Sequence, residues 1–417
     1  MRIALAHKLY RTTGGAEVFF HETNRILRER GHETLLIATG SNADNTNDSN
    51  VLLLEAPDYE SPSLLTKLRS FPATIYDNKK KAVVKETLRA FKPDIFHAFS
   101  VNVRLSPSVI VAAAELGVPI VGSFNDYKHI CPAFKMFHHG QRCTACHGKD
   151  FYHAILNNCC KDNYGKYSMI RSGAAAVEAY LHRAMGIYAK FDHFTFASEF
   201  MAKTTQGFWP ERHLSWSKLR NPFDSAGVQP TYQYDEFGLY FGRLVEEKGV
   251  DHLISAAAQV KDFPIKIIGD GPELKKLQDQ TNSLGLSNIV FLGPMWGSTL
   301  NDILCRARFV VVPSVWEENL PYVINQSFSQ GKPVIGAYRG GIPELVQHGV
   351  TGLIFEPDNL NELPDAIMHF ATSIDSARQM GEAAKRWSDE YFNDDMFYSD
   401  LMFAYERAAN QNRNHRR

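Results

Sequence analysis

Short apolar runs rich in branched residues alternate with longer amphipathic stretches along the whole chain. This alternation is typical of parallel α/β layers, in which buried strands are joined by helices packed on the sheet. In the first half we predict strands at 3–6, 34–38, 94–98, 119–124 and 194–197. The second half repeats the pattern, with strands predicted at 238–241, 264–268, 289–292, 309–312, 333–336 and 352–355. The pattern therefore predicts an α/β fold in both halves.

Amphipathic helices are predicted between these strands. The clearest covers 16–30 and is stopped by Gly31. Its apolar face carries Phe19, Phe20, Thr23, Ile26 and Leu27. Two further helices are predicted near the end of the chain, at 378–391 and 394–409.

The chain changes character near residue 220, where Asn221-Pro222-Phe223-Asp224 is followed by a polar stretch without periodicity. We predict an N-terminal domain over 1–220 and a second domain over 221–390. The remaining 391–417 is predicted to be a helix returning to the first domain, followed by a basic tail. Residues 41–50 are predicted to form a loop. The Cys- and His-rich stretch at about 131–166 is predicted to be an insertion.

Composition narrows the possible partners. The 417 residues carry a formal net charge of −1, which gives no general attraction to nucleic acid. Two local basic runs stand out, Lys79–Lys81 and the tail with Arg413, Arg416 and Arg417. They indicate either solvated surface or weak attraction to an anionic membrane face.

The sequence also bears on location. No apolar stretch is long enough to span a bilayer, and the first residues are too short and too mixed for a secretory signal. We therefore expect a cytoplasmic protein that can contact the inner face of the membrane peripherally. In that compartment the six cysteines are expected to be reduced thiols or metal ligands.

A glycine-rich turn, Gly14-Gly15, follows the first predicted strand and opens the first helix. Glycine lets the backbone approach a ligand, and a helix N-terminus favours anions. The alternative is a tight strand-to-helix turn without a ligand. The turn lacks the Gly-x-Gly-x-x-Gly dinucleotide fingerprint, which weighs against a nicotinamide enzyme.

In the second half, Arg243 and Lys248 flank the turn after the strand predicted at 238–241. Two fixed cations at the carboxyl end of such a strand could neutralise a diphosphate leaving group. The alternative is that they only pair with Glu246 and Glu247 on the surface.

Further motifs follow at strand ends and helix starts, at 267–272, 291–293, 313–321, 331–335 and 340–344. In this order and spacing the set resembles the GT4 family of retaining glycosyltransferases. The resemblance covers nearly the whole chain and is strongest over 236–357. It implies two Rossmann-like domains facing across a cleft (the GT-B fold). It also implies transfer of a sugar from a nucleotide-sugar donor, such as a UDP- or GDP-sugar, to a glycan or lipid-linked acceptor in surface polysaccharide or glycoconjugate synthesis.

The resemblance also implies roles for residues. Arg243 and Lys248 match the pair that binds the donor diphosphate, and Glu318 matches the first carboxylate of a Glu-x7-Glu motif that contacts the transferred sugar. We take these three as the catalytic candidates. The remaining donor-binding candidates are Gly14, Gly15, Gly269, Leu292, Asn319, Leu320 and Gln326.

Two positions depart from the family pattern. Gln326 stands where the second Glu of the motif is expected, so any hydrogen bond to ribose lacks charge assistance. Asn125 stands where many relatives have His. Asp126, His129 or His97 could compensate for Asn125, and the sequence does not choose among them.

No Asp-x-Asp triplet is present, so we expect no divalent-metal cofactor. Without a clear protein base, the leaving phosphate oxygen is expected to take the acceptor's proton. The insertion offers Cys131, Cys143, Cys146, Cys159 and Cys160 as ligands of a structural zinc, or as partly buried thiols.

Two other functions remain open. One is a nucleotide-sugar epimerase of the same fold, because fold does not fix function. The other is a non-catalytic protein that binds sugar nucleotides, which the departures at Gln326 and Asn125 motivate.

Overall fold

The computed structural model of the protein describes residues 1–12, 14–40, 48–57, 64–162, 165–359 and 361–416. At 64–69 and 415–416 it describes the backbone alone. Most of the loop predicted at 41–50, namely 41–47, lies outside the described residues.

Strands and helices are numbered in chain order. The strands are β1 Arg2–His7, β2 Glu33–Thr39, β3 Val51–Leu54, β4 Ile95–Ala98, β5 Ile120–Phe124, β6 Phe137–His138, β7 Gln141–Arg142, β8 His193–Phe196, β9 Trp216–Lys218, β10 Gly238–Phe241, β11 Ile265–Ile268, β12 Ile289–Gly293, β13 Phe309–Val312, β14 Val334–Ala337 and β15 Gly352–Phe355. The helices are α1 Gly15–Glu29, α2 Leu64–Ile75, α3 Asn78–Phe91, α4 Ser108–Glu115, α5 His153–Leu156, α6 Met169–Ala184, α7 Glu199–Phe208, α8 Val250–Ala257, α9 Leu274–Ser283, α10 Gly297–Leu304, α11 Tyr322–Ser329, α12 Glu362–Thr372, α13 Ile374–Tyr391 and α14 Asp394–Arg416.

The chain forms two compact units. The first comprises 1–134, 145–222 and 394–417, and the second comprises 135–144 and 223–393. Residues 135–144 therefore group with the second unit, although the sequence prediction placed them inside the N-terminal domain. They form the β6–β7 hairpin, which is held by contacts far along the chain that sequence periodicity does not report.

The first unit is built on a seven-stranded sheet in the order β3-β2-β1-β4-β5-β8-β9, with parallel pairing throughout. Its central strands are buried on both faces, which is why they appear as nearly continuous apolar runs in the sequence. The order of strands reverses between β1 and β4, and this switch is where parallel sheets bind ligands.

Helix α14 completes the core of the first unit. Phe397, Leu401 and Tyr405 on α14 pack with Phe19 and Phe20 of α1. The Tyr405 hydroxyl lies 3.0 Å from Nδ1 of His97 on β4, and Asp394 pairs with Arg25 at 2.8 Å. The C-terminal helix is therefore an integral part of the first unit.

The second unit is built on a six-stranded parallel sheet in the order β12-β11-β10-β13-β14-β15. The order reverses between β10 and β13, so the loops that follow these two strands flank the switch of this sheet. Every strand predicted from apolar runs in this half is present.

Three features were not predicted. Strands β3 and β9 were missed. Strand β9 (Trp-Ser-Lys) has no apolar run, whereas β3 (Val-Leu-Leu-Leu) carries an apolar run as long as that of β10. The region 132–166 was expected to lack strand and helix, but it contains the β6–β7 hairpin and the one-turn helix α5. These elements are too short to leave a periodic pattern.

The described residues contain no helix of the length and apolarity needed to cross a bilayer.

Candidate active site

The loop after β10 carries the first two candidates. Tyr240 on β10 donates its hydroxyl hydrogen to the carbonyl of Arg243 at 2.8 Å, which fixes the turn. The Arg243 side chain is exposed and makes no ion pair with any other described residue. A single helical turn, Glu246–Lys248, then leads through left-handed Gly249 into α8. Arg243 is therefore available to an anion at the carboxyl end of β10.

The loop after β13 carries Glu318, which is 4% exposed. Its Oε1 accepts hydrogen bonds from Lys248 Nζ at 2.5 Å and from Ser314 Oγ at 2.7 Å. These contacts join the β10 and β13 loops across the switch of the sheet. The structure therefore brings together Lys248 and Glu318, which the sequence placed 70 positions apart.

Electrostatics keep Glu318 ionised. Burial alone would raise the pKa of this carboxyl, but the Lys248 ammonium and the hydrogen bonds from Lys248 and Ser314 offset burial and hold the pKa below its usual range. A carboxylate that stays ionised at neutral pH accepts hydrogen bonds but does not act as an acid. Glu318 is thus suited to orient hydroxyl groups.

The turn after β14 forms hydrogen bonds with Glu317 and Glu318. The amide of Gly340 donates to Glu317 Oε2 at 2.7 Å, and the amide of Gly341 donates to the carbonyl of Glu318 at 2.8 Å. Gly340 has a φ of +55°, and an added Cβ would lie 2.0 Å from the Glu318 carbonyl oxygen. Only glycine allows this close approach.

We expect Gly340→Ala to lower the free energy of unfolding by about 3 kcal/mol, from backbone strain plus displacement of the Glu318 backbone. Gly349→Ala is the matched control, because Gly349 has a φ of +76° and no atom within 4 Å of an added Cβ. This control should cost only about 1 kcal/mol. Denaturant unfolding of both variants measures the difference, and equal losses would show that the Gly340 contact is not tight.

Sequence reasoning missed two cations of the β6–β7 hairpin. Lys135 pairs with Glu247 at 2.6 Å, and Arg142 pairs with Glu317 at 3.2 Å. The hairpin thus anchors the two acids that directly precede Lys248 and Glu318 in the sequence. No spacing signal could have revealed this, because Arg142 and Glu317 are 175 positions apart.

Asn319 and Leu320 are buried and lead into α11, with Pro321 as its N-cap. Gln326 lies on α11, is partly buried, and its side chain forms no hydrogen bond with another described residue. The amide of Gln326 is therefore available to a ligand.

Gly269 directly follows β11, and Leu292 lies near the end of β12, so both residues are at the carboxyl ends of strands of the second sheet. The amide of Gly269 donates to the carbonyl of Gly293 at 3.0 Å, and an added Cβ on Gly269 would lie 1.9 Å from the carbonyl oxygen of Gly242. Close packing of the β10 and β11 loops therefore accounts for a glycine at 269. Leu292 is partly buried on edge strand β12.

Gly14 and Gly15 belong to the first unit and stand at the start of α1. The buried carboxylate of Glu17 lies over this first turn, with Oε2 3.5 Å from the position of a Cβ on Gly14. A negative charge already occupies the favourable end of the helix dipole. This contact weighs against a second anion directly at that position.

The structure narrows the groups that could compensate for Asn125. His97 is fully buried, and its ring nitrogens meet Ser123 at 2.7 Å and Tyr405 at 3.0 Å. His129 is 3% exposed and contacts Thr205 through Nε2 at 2.7 Å. Burial lowers the pKa of both to about 3. Of the three candidates, only Asp126 is not a core residue.

The cysteines carry no disulfide. Among the residues that the structure describes, no three His, Cys, Asp or Glu side chains are grouped as a metal site. The cysteine cluster of the insertion is also divided, because Cys143 lies in the hairpin of the second unit and the other four lie in the first unit.

Two family models match the chain. The model described as Glycosyltransferase Family 4 matches residues 13–214, and the model described as Glycosyl transferases group 1 matches residues 227–387. The matches correspond to the two halves of the chain.

Relatives of known sequence carry similar descriptions. An uncharacterized glycosyltransferase of Methanocaldococcus jannaschii is 34% identical over 169 residues, which are 40% of this chain and 48% of that protein. This chain thus spans about half of that relative's length. A GDP-mannose-dependent alpha-mannosyltransferase of Corynebacterium glutamicum is 23% identical over 377 residues, covering 88% of this chain and 80% of that protein.

Among solved structures, Anabaena HepE in complex with UDP and glucose aligns with 97% of this chain and 98% of its own, at a TM-score of 0.66 and 19% identity. This similarity shows the fold, two Rossmann-like domains of the GT-B type. Together the two family models cover most of the chain, and we conclude that it belongs to the GT4 family of glycosyltransferases.

Proposed function

We propose that this protein is a retaining glycosyltransferase whose second unit binds a nucleotide-sugar donor. The observation that carries the proposal is the Lys248–Glu318 pair at the switch of the second sheet, 2.5 Å apart, with the exposed Arg243 in the same loop as Lys248. Cations and an ionised carboxylate at this position suit a donor with an anionic diphosphate and a sugar rich in hydroxyl groups.

In this proposal Arg243 and Lys248 stabilise the diphosphate as negative charge develops on the leaving oxygen. Glu318 accepts hydrogen bonds from hydroxyl groups of the transferred sugar, and the amides near Asn319 and Leu320 contact sugar or phosphate at the start of α11. Because Glu318 stays ionised and is paired with Lys248, we assign it no role as a general acid. The leaving phosphate oxygen takes the acceptor's proton, and no divalent metal takes part.

The relatives indicate which donors to test first. The Corynebacterium relative is described as GDP-mannose-dependent, and the structure of HepE contains UDP and glucose. We therefore propose a UDP- or GDP-sugar as donor. A glycan or a lipid-linked molecule at the inner face of the membrane is the proposed acceptor, in surface polysaccharide or glycoconjugate synthesis.

The test is a thermal-shift screen against UDP-, GDP-, ADP- and dTDP-sugars, followed by product analysis. A donor at about 100 times its Kd should stabilise the protein by about 2.7 kcal/mol. Transfer to an acceptor with retained anomeric configuration supports the proposal. An epimer formed without acceptor would identify an epimerase instead, and binding without turnover on a broad acceptor panel would identify a binding protein.

Gln326→Glu is expected to tighten donor binding about fivefold, or about 1 kcal/mol, because a carboxylate forms a charge-assisted hydrogen bond with ribose hydroxyls where the amide does not. Calorimetry with the identified nucleotide measures the change. Gln330→Glu, on the residue that follows α11, is the matched control and should leave the Kd unchanged. Equal or weaker binding by Gln326→Glu would place the ribose elsewhere.

A further inference from the structure

The loop after β13 carries a tryptophan beside the two charged candidates of the second unit. Trp316 lies two residues before Glu318 in the chain and is partly exposed. The Lys248 ammonium lies 5.9 Å from the centroid of the Trp316 ring, at the outer limit of a cation–π contact. Trp316 therefore borders the Lys248–Glu318 pair while part of it remains open to solvent.

The indole N–H of Trp316 lies beside the Glu318 carboxylate. Burial raises the pKa of this carboxyl, the Lys248 ammonium lowers it, and the indole N–H contributes to the lowering. The indole nitrogen is itself buried, and it forms no hydrogen bond of ordinary geometry with any described residue. A buried donor without a well-formed bond costs stability, so fold stability alone does not explain a tryptophan at this position.

The backbone on both sides of this loop is held firmly. The amide of Val315 donates to the carbonyl of Glu247 at 3.1 Å. The carbonyl of Pro313 packs so closely on Gly249 that an added Cβ there would lie 2.1 Å from its oxygen. These contacts fix the segment that presents Trp316, and a side chain on a fixed segment loses little conformational freedom when a ligand binds.

A pyranose sugar presents two kinds of surface to a binding site. Its hydroxyl groups project from the rim of the ring and suit a carboxylate, whereas the C–H groups form apolar patches on its faces. A site for such a sugar needs a few polar groups at the rim and a flat apolar surface at one face. Glu318 is suited to the rim, and the partly exposed ring of Trp316 beside it is suited to the face.

We propose that Trp316 binds the donor by packing its ring against one face of the transferred sugar, while Glu318 binds hydroxyl groups at the rim. This role rests on the proposed function and names the part of the donor that Trp316 contacts. The donor class that fits is a nucleotide-linked hexopyranose with several C–H groups on one face. A free nucleoside diphosphate has no sugar at this position, so Trp316 distinguishes the nucleotide sugar from the nucleotide alone.

A purely electrostatic role for Trp316 is the alternative. Its ring would then only hold the Lys248 ammonium, and its loss would weaken binding of nucleotide and nucleotide sugar equally. The separation of 5.9 Å makes that cation–π contact weak, and Lys248 already lies 2.5 Å from Glu318. A partner from the ligand therefore accounts better for the aromatic ring than Lys248 does.

Calorimetry on the full chain with UDP, UDP-glucose, GDP and GDP-mannose tests the proposal. Trp316→Leu should weaken binding of the preferred nucleotide sugar about tenfold, and binding of its free nucleotide by no more than about twofold. Trp316→Phe keeps an aromatic ring and should stay within about threefold of the wild type for both ligands. Trp296→Leu is the matched control on a 76% exposed tryptophan of the same unit, and it should leave the ratio of the two affinities unchanged.

Tryptophan fluorescence gives a second measurement, which decides the matter if Trp316→Leu fails to fold. The nucleotide sugar should change the emission of the wild type more than the free nucleotide does, and this difference should disappear in Trp316→Phe. Persistence of the difference in Trp316→Phe would overturn the inference.

The calorimetry separates failure of this inference from failure of the proposed function. If the wild type binds nucleotide and nucleotide sugar but Trp316→Leu weakens both equally or neither, only the role of Trp316 is overturned. If the wild type binds none of the four ligands, the proposed UDP- or GDP-sugar donor is overturned, and the role of Trp316 with it.

Discussion

Lys248→Met is expected to lower kcat/KM for donor consumption by about 10²–10³-fold, the typical loss when one electrostatic stabiliser of a transition state is removed. The reason is that Lys248 would supply one of two cations to the diphosphate. Methionine keeps an unbranched side chain of similar length without the charge. Steady-state kinetics with the donor identified by the screen measures the effect.

The same substitution should also lower stability, because it leaves the Glu318 carboxylate buried without its ammonium partner. Breaking a buried ion pair costs about 3–5 kcal/mol, and we expect about 2–3 kcal/mol because Lys248 is 19% exposed. The depressed pKa of Glu318 makes this stabilisation available at neutral pH and removes it as the pH falls through the folded-state pKa.

A second variant separates the two effects. Lys248→Met combined with Glu318→Gln removes the unpaired charge, so stability should largely return while activity stays low. Lys275→Met, on an exposed lysine of α9, is the control for both measurements. Recovery of activity together with stability would show that Lys248 acts only by supporting the fold.

Acid is expected to unfold the first unit before the second. Burial lowers the pKa of His7, His97 and His129 to about 3 and that of His193 to about 4. All four lie in the first unit. In the unfolded chain each regains a pKa near 6.5 and binds a proton more readily than in the folded state.

The direction in which stability changes with pH follows from these pKa values. Between the unfolded and folded pKa the unfolded state binds more protons, so stability is fully present above about pH 6.5 and is lost as the pH falls. Each histidine removes about 1.4 kcal/mol per pH unit, so at pH 5 the four together remove up to about 8 kcal/mol. Hydrogen exchange followed by mass spectrometry should show more exchange in the strands of the first unit at pH 5 than above pH 6.5, after correction for the pH dependence of the intrinsic exchange rate.

A matched pair of variants tests the assignment. His193 lies between Ser215 Oγ and Ser217 Oγ, each 2.9 Å from a ring nitrogen, so His193→Gln keeps polar contacts and should flatten the pH dependence. His348→Gln replaces an exposed histidine of the second unit and should leave it unchanged. Equal slopes for the two variants, or earlier unfolding of the second unit, would contradict the expectation.

The strands of both sheets were largely predictable from the sequence. Buried parallel strands need a continuous apolar run, and that requirement is local, so the pattern at 238–241 or 309–312 is sufficient to locate β10 and β13. Arg243 and Lys248 were candidates because they lie in the loop after the run at 238–241, and the resemblance to the GT4 family singled them out together with Glu318. Strand β9 was missed because its three residues form no apolar run, while β3 was missed although it carries one.

The sequence alone could not decide which distant residues meet in one site. The sequence determined the two α/β halves, the family and the cations of the β10 loop, since each depends on residues close together in the chain. Only the tertiary structure decided that Arg142 pairs with Glu317 and that His97 and His129 are core residues. Ion pairing and burial depend on contacts between distant segments, and hydrophobic periodicity carries no information about which distant segments meet.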